Sequence, residues 1–223
     1  MGLQTEAKKG TVIEVNGVRI EVLRGSPRLE ITAPPDAKIT QLSGNSAGRV
    51  NHQAREMTIS IRKMNRQDMV EVDRIQREAY APTIWERIAV FEEKLNYFPD
   101  GCWLCEIDAV AAGYLFSHPG KLSEPPALNA FFATTTADVD CYFIHDVAVR
   151  PAFRGTGVGG RLAEQALRIA SEQGFTNVAL VSIQNSQAYW QRHGFEPSLD
   201  LNASRSVRST YGEAACFMHR KLA

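Results

Sequence analysis

The sequence predicts an α/β domain from about residue 57 onward, preceded by a small all-β appendage. Three observations carry this expectation. Along residues 57–223 the apolar spacing switches repeatedly between the two-residue period of strands and the longer period of helices, which favours a sheet covered on both faces. A glycine-rich turn joins the most apolar strand to a regular amphipathic helix, in residues 147–162 (VAVRPAFRGTGVGGRL). Residues 1–42, by contrast, alternate apolar and polar side chains with no helical period.

Taken in order, residues 11–23 (TVIEVNGVRIEVL) alternate about Asn16-Gly17, which is hairpin chemistry. Residues 28–32 (RLEIT) alternate again before Ala33-Pro34-Pro35-Asp36 turns the chain. Residues 43–56 open with SGNSAGRVNHQ, rich in Gly, Ser and Asn, and read as a linker to a domain spanning 57–223. Residues 58–62 form a short strand. Asn65 or Asp68 caps a helix running to about Tyr80, with Met69, Val72, Ile75 and Ala79 at helical spacing. Residues 84–95 repeat that pattern through Ile84, Ile88, Phe91 and Leu95. Residues 103–107 and 111–116 pair as a hairpin through Asp108, and residues 118–140, with three prolines, form a long loop.

Residues 141–149 (CYFIHDVAV) are a strongly apolar strand. Strict alternation puts Cys141, Phe143, His145, Val147 and Val149 on one face, and Tyr142, Ile144, Asp146 and Ala148 on the other. The following helix runs to about Gln173 with Leu162, Ala166, Ile169 and Ala170 inward, and Gly174 ends it. Residues 177–183 form a buried strand, and residues 186–193 a short helix closed by Gly194-Phe195. Two terminal strands follow, the last at 214–221.

Composition narrows the function. Lys+Arg and Asp+Glu both number 25, so the net charge is zero; that argues against a general nucleic-acid or membrane-surface binder, although a local basic patch stays open. No run approaches the ~18 apolar residues of a membrane span, and the lysines near the N-terminus precede no apolar stretch. The expectation is a cytoplasmic protein. Of the four cysteines, Cys102 and Cys105 form a C-x-x-C. It falls on a strand, where positions three apart face opposite ways, so both read as reduced thiols without a metal.

The turn at 150–160 carries the chemistry. Gly155, Gly157, Gly159 and Gly160 let the backbone approach a ligand and expose several N–H groups, and the helix start adds partial positive charge. That suits a phosphate or pyrophosphate, with Arg154 as a charged contact. No Gly-Lys-Ser/Thr follows, so the turn is not a P-loop, and G-x-G-x-G-G lacks the spacing of the dinucleotide fingerprint.

Arg154-Gly155-Thr156-Gly157-Val158-Gly159 resembles the R/Q-x-x-G-x-G/A signature of the GNAT superfamily of acyl-CoA-dependent N-acyltransferases. The preceding strand ending Val147-Ala148-Val149-Arg150-Pro151 and the downstream Tyr189-Trp190-Gln191-Arg192-His193-Gly194-Phe195 are similar to that family too. The resemblance implies a mixed, splayed central sheet flanked by helices, acetyl-CoA as co-substrate, and no metal. It implies that the backbone of Val147, Ala148 and Val149 pairs with the pantetheine arm. The N–H groups of residues 155–160, Thr156 and Val158 included, would hold the pyrophosphate, with Asn185 and Trp190 as further coenzyme contacts.

Amide formation needs a neutral amine, hence a general base. His145 matches one of two strand histidines of the aralkylamine acetyltransferases, and an unperturbed imidazole, at ~6.5, suits the role. Phe143 stands where relatives carry a second His or a Glu, and Asp146 is the rival base. For the leaving thiolate, the position of the usual tyrosine is Trp190, whose indole cannot act as an acid at neutral pH. Tyr189 beside it is the candidate side-chain acid, but adjacent helical residues point about 100° apart, so protonation by solvent or by the released amine proton is preferred. The expected reaction is therefore acetyl transfer to the primary amine of a small molecule. The alternative is a non-catalytic acyl-CoA sensor with an RNA- or protein-binding module. Residues 12–41, through Leu29-Glu30-Ile31-Thr32-Ala33-Pro34, also resemble the carbon-storage-regulator family of RNA-binding proteins. That family's basic end is replaced here by Lys38-Ile39-Thr40-Gln41, so nucleic acid is not expected. Three strands are too few to bury a core alone, so a homodimer, or packing on the enzyme body, is expected.

Overall fold

The computed structural model describes residues 58–131 and 138–222, together with the backbone of five strands before residue 43. The chain separates into two compact units, Met1–Arg55 and Glu56–Ala223. In the first, β1 (Leu3–Ala7) pairs antiparallel with β4 (Ser26–Ile31), while β2 (Val12–Val15) lies between β3 (Val18–Glu21) and β5 (Ile39–Leu42). Val15 opposes Val18 in the antiparallel β2–β3 pair, and the Asn16-Gly17 pair read as hairpin chemistry lies outside the described residues. Strands β1 and β5 were not legible in the sequence. The linker at 43–56 lies outside the described residues apart from its flanking unit boundaries.

The second unit is a seven-stranded sheet flanked by helices. Its elements are β6 (Ile59–Lys63), α1 (Met69–Ala79), α2 (Ile88–Tyr97), β7 (Cys102–Ile107), β8 (Val110–Gly120), β9 (Cys141–Val149) and α3 (Val158–Glu172). They continue with β10 (Asn177–Ser182), α4 (Gln187–Arg192), β11 (Glu196–Pro197), α5 (Leu201–Tyr211) and β12 (Cys216–Lys221). The strand order is β11-β12-β10-β9-β8-β7-β6, antiparallel throughout except for the parallel pair β9–β10. Helix α3 buries Val158, Leu162, Ala166 and Ile169 on one face against Leu115, Tyr142 and Ile144. Helices α1 and α2 bury Val72, Ile75 and Phe91 on the other, against Leu104, Tyr114 and Phe116. The two cysteines of the C-x-x-C fall in these two different clusters, and burial pushes their thiols up, Cys102 to about 12 and Cys105 to about 11.

Three local features depart from the sequence reading. Asn65 does cap the first helical segment, with Asp68 completing a capping box, but the cap opens a 3₁₀ turn that leads into α1. The second helix begins at Ile88 rather than 84 because residues 85–87 are held extended. The side-chain amide of buried Gln76 accepts from the N–H of Glu86 and donates to its carbonyl, both at 3.0 Å, like a strand neighbour. Finally, the two strands expected after Phe195 are present as β11 and β12, but a helix that was not expected, α5, lies between them. Asp200 caps it by accepting from the N–H groups of Asn202 and Ala203, at 2.9 and 3.0 Å. Only Ala203 and Val207 of α5 are buried, so its apolar stripe is too narrow to read from spacing.

The decisive feature is a β-bulge in β9. Phe116 opposes Asp146 and Ser117 opposes Ile144, which leaves His145 as the extra residue. Alternation therefore skips a beat. Tyr142, Ile144, Val147 and Val149 pack on the α3 side. Phe143, His145, Asp146 and Ala148 project toward the side of α1 and α2. The strict alternation expected for residues 141–149 is thus corrected: His145 does not share a face with Val147 and Val149, and Asp146 is not opposite to it.

Gly113 on β8 tests the packing beneath this strand. A Cβ there would lie 2.6 Å from the carbonyl oxygen of Ala148 and 2.9 Å from a methyl of Val158. Gly113→Ala should destabilise the fold by about 1–3 kcal/mol, as overpacking does. Urea unfolding measures it, and an unchanged midpoint would contradict the close approach.

Candidate active site

The parallel ladder between β9 and β10 ends at Ile144 and Leu180, although β9 continues to Val149 and β10 to Ser182. The strands splay from there, and a cavity of about 680 Å³ opens between them. Its polar lining follows from the β8–β9 ladder. The N–H of Arg150 donates to the carbonyl of Ala112 at 2.9 Å, so Arg150, Ala148 and Asp146 are the residues hydrogen-bonded to β8. The N–H and C=O groups of Val147 and Val149 consequently point the other way, into the notch. An extended ligand laid there meets a strand edge.

At the far end of β9 the chain enters the glycine turn. Gly155 and Gly157 have φ of +80° and +91°, a region other residues rarely adopt, and Gly157 immediately precedes α3. The first intrahelical bond runs from the N–H of Arg161 to the carbonyl of Gly157, which leaves the N–H groups of Val158, Gly159 and Gly160 without helical partners. A Cβ at Gly155, Gly157 or Gly160 would meet nothing within 4 Å, so the space above the turn is open. Arg154 lines the same cavity and donates to the carbonyl of Ala79 at 3.4 Å. Such a cradle accepts an anionic group.

Not every residue expected here reaches the cavity. Thr156 is outside the lining, and its hydroxyl donates to the carbonyl of Phe153 at 2.7 Å. Asn185 is also outside; with φ of +61° it forms a turn beside Gln184. Trp190 lines the cavity but is buried against Phe195 in the α3 core. Tyr189 lines it as well, with its hydroxyl 3.0 Å from the Cβ position of Gly159 and without a hydrogen-bond partner among the described residues. That puts the phenol at the start of α3. Burial pushes its acidity down, its pKa rising to about 12.

About five residues back along β9, the bulge presents two buried ionisable groups. The His145 side chain is 2% exposed and its Nε2 lies 2.8 Å from Oε2 of Glu86, itself 5% exposed. Burial opposes the charge on Glu86, but His145, Lys94 and the N–H of Asn129 outweigh it and hold the carboxyl at about 2. An ionised carboxylate only accepts, so Nε2 carries the hydrogen and Nδ1 the lone pair. Nδ1 is buried and has no partner among the described residues. Burial, reinforced by Lys94, draws the imidazole below its usual value despite Glu86. The expectation that it titrates near 6.5 is corrected accordingly: the neutral form persists to lower pH. A second imidazole approaches from β8, His118, stacked on Phe143 with its ring centre 5.7 Å from that of His145.

Asp146 Oδ2 accepts from the hydroxyl of Tyr114 at 2.7 Å, and its Oδ1 lies 2.5 Å from the hydroxyl oxygen of Tyr80. Burial drives its carboxyl up to about 7, against the pull of those two hydrogen bonds. Sequence spacing could not find Glu86, Tyr80 or Tyr114. Glu86 fell outside the apolar spacing of the helix expected at 84–95, Tyr80 marked the end of a helix and Tyr114 lay within a hairpin strand.

With this geometry in place, comparison with known proteins places the chain. A model of the acetyltransferase (GNAT) family matches residues 66–195. The chain belongs to the GNAT family. The solved structure of Ard1 from Thermoplasma volcanium superposes with a TM-score of 0.57 at 18% identity, covering 74% of this chain and 98% of that one. The loading GNATL domain of CurA from Lyngbya majuscula gives 0.60 at 13%, covering 74% and 98%. Arabidopsis thaliana Naa50, solved with a bisubstrate analogue of CoA, gives 0.54 at 14%, covering 72% and 96%. These likenesses confirm the mixed α/β GNAT fold expected of residues 57–223. No curated protein matches the chain. The likeness of residues 12–41 to the carbon-storage regulators rests on the sequence alone. Among the described residues no cluster of His, Cys, Asp or Glu can hold a metal ion, and no helix is long and apolar enough to cross a membrane.

The raised carboxyl of Asp146 has a measurable sign. With its value moved from 3.8 to about 7, the folded protein keeps a proton that the unfolded chain has released within that window. This group therefore withdraws stability as the pH rises through the window. The buried neutral His145 acts oppositely, at lower pH. Asp146→Asn should raise the melting temperature, relative to the unsubstituted protein, more at pH 8 than at pH 5. A difference that is flat with pH would mean Asp146 titrates like an ordinary carboxyl.

Proposed function

We propose that the chain is an acetyl-CoA-dependent N-acetyltransferase that modifies the primary amine of a small molecule by direct attack, with His145 as general base. The observation that carries this reading is one continuous cavity. It joins the anion cradle at 155–160, the strand edge of Val147 and Val149, and the Glu86–His145 pair. Structural neighbours were solved with CoA, as NatC was, or with a CoA-containing bisubstrate analogue, as Naa50 was, which supports the coenzyme.

In this reading the pyrophosphate sits on the N–H groups of Val158, Gly159 and Gly160, with Arg154 alongside, and the pantetheine arm follows β9 toward the bulge. The amine enters from the end walled by Ile84, Leu128 and Tyr211. These apolar walls favour an amine with an apolar body, bound in its neutral form. His145 Nδ1 takes the proton as nitrogen attacks the thioester carbon, and Glu86 stabilises the imidazolium that forms. The carbon–sulfur bond then breaks.

The test is amine-dependent release of CoA from acetyl-CoA across a panel of small primary amines, expected to give turnover with apolar amines. Binding of acetyl-CoA with no turnover on any amine would overturn the reading.

Two substitutions separate its parts. Gly157→Leu imposes a side chain on a left-handed residue at the cradle and should lower coenzyme affinity at least tenfold by calorimetry; a folded variant within twofold of the original would remove the cradle assignment. His145→Ala should lower turnover by roughly 10²–10⁴-fold with coenzyme affinity nearly unchanged. The acid limb of the unsubstituted enzyme's kcat/KM profile should lie below pH ~6.5, since the folded imidazole is shifted down.

A further inference from the structure

If the reaction is the one proposed, a second proton must reach the departing thiolate, and neither residue of the α4 aromatic pair is suited to deliver it. Trp190 has no acidic proton at neutral pH, and the hydroxyl of Tyr189 lies at Gly159, at the cradle end of the cavity. A different hydroxyl borders the notch beside the bulge. Tyr80, at the C-terminal end of α1, lines the cavity and lies 2.5 Å from Oδ1 of Asp146 and 2.9 Å from the carbonyl oxygen of Val147. That carbonyl faces the notch, on the strand edge where the coenzyme arm is expected.

Hydrogen counting makes the arrangement informative. The Tyr80 hydroxyl has one hydrogen and two acceptors within reach, while Oδ2 of Asp146 already accepts from Tyr114. All contacts are matched at once only when Asp146 is protonated. Tyr114 then donates to Oδ2, the acid hydrogen on Oδ1 is donated to the Tyr80 oxygen, and Tyr80 donates to Val147. Burial, which lifts the carboxyl to about 7, is consistent with a proton held there.

We propose that Tyr80 and Asp146 form a relay that protonates the CoA thiolate as it leaves. Resting on the acetyl-transfer reading above, the step balances as follows. The carbon–sulfur bond breaks with its electron pair on sulfur, the Tyr80 hydroxyl gives its proton to sulfur, and Asp146 replaces it, becoming a carboxylate. The amine has meanwhile given one proton to His145. Returning that proton to Asp146 through solvent in the cavity restores both groups, so the amine proton is the one that finally reaches the thiol. Tyr80 is the catalytic residue of the pair and Asp146 a positioning and proton-supplying one. The other charged and titratable groups around them are Glu86, Lys94, His145, Arg154, Tyr114 and Tyr211.

The relay predicts a deficit that depends on the leaving group. In the full-length protein at saturating amine, Tyr80→Phe should lower kcat for acetyl-CoA by about 10²-fold, with acetyl-CoA affinity within threefold by calorimetry. With S-acetyl thionitrobenzoate, whose thiolate needs no proton at neutral pH, the deficit should shrink below about threefold. Asp146→Asn should show the same pattern, and the double variant should be no slower than the worse single, as residues acting as a unit behave. A merely structural role would slow both thioesters alike. Wild-type kcat in folded Tyr80→Phe, or an equal deficit with both thioesters, overturns the relay while leaving the acetyl-transfer reading standing. An unsubstituted protein that binds acetyl-CoA without acetylating any amine overturns both. Should Tyr80→Phe fail to fold, Asp146→Asn carries the comparison of the two thioesters.

Discussion

One extra residue in β9 organises the domain. Because His145 has no partner on β8, the strand changes phase between Ile144 and Asp146, and the parallel ladder to β10 stops at the same place. Before the bulge, β9 is an interior strand held on both edges. After it, one edge still pairs with β8 while the other is released into the notch. The same slip brings two consecutive ionisable side chains to the side of α1 and α2, which regular pleating would have sent to opposite faces. The strand edge, the opening and the pair of buried groups are three results of a single local irregularity, and the glycine turn can serve the cavity only because β9 leads directly into it.

The electrostatics of that side are a contest between burial and partnership, settled differently at neighbouring positions. At Glu86, three partners of positive or donor character overcome desolvation and the carboxylate stays charged. At Asp146, two phenols are too weak as partners, and desolvation prevails. His145, between them in the chain, is kept neutral by burial and by Lys94 despite touching Glu86. Two carboxyls joined to the same short stretch of strand are thus moved in opposite directions, Glu86 below its ordinary value and Asp146 above.

Much of this was legible in the sequence. The strand–turn–helix of residues 141–173 depends on local chemistry: apolar alternation, left-handed glycines, a 3.6-residue stripe. So does the β7–β8 turn, where both Asp108 and Ala109 adopt positive φ. The cysteines of the C-x-x-C separate to opposite faces because period-two alternation holds on β7. It fails on β9, since a bulge leaves no mark on composition. Glu86 and Tyr80 were illegible for a different reason: they meet His145 and Asp146 across 59 and 66 residues of chain. Nothing in their local pattern distinguishes them from solvent-facing or core residues. Trp190 illustrates the converse, a residue at the cavity wall whose indole is taken up largely by core packing.

Glu86 has one further consequence, for how this enzyme can change. Its carboxylate accepts from His145 on one oxygen and from the N–H of Asn129 on the other, at 2.5 Å, and Arg87 in turn holds the side chain and carbonyl of Asn129. The loop that supplies Leu128 to the cavity wall is therefore moored to the very group that fixes the imidazole. Change in this wall is constrained unevenly: Ile84 and Leu128 offer apolar surface alone, Tyr211 also donates to the carbonyl of Pro126, and lengthening or shortening the loop around 129 would disturb the contacts that hold Glu86. New specificities in this lineage should arise by substitution in the wall and seldom by insertion.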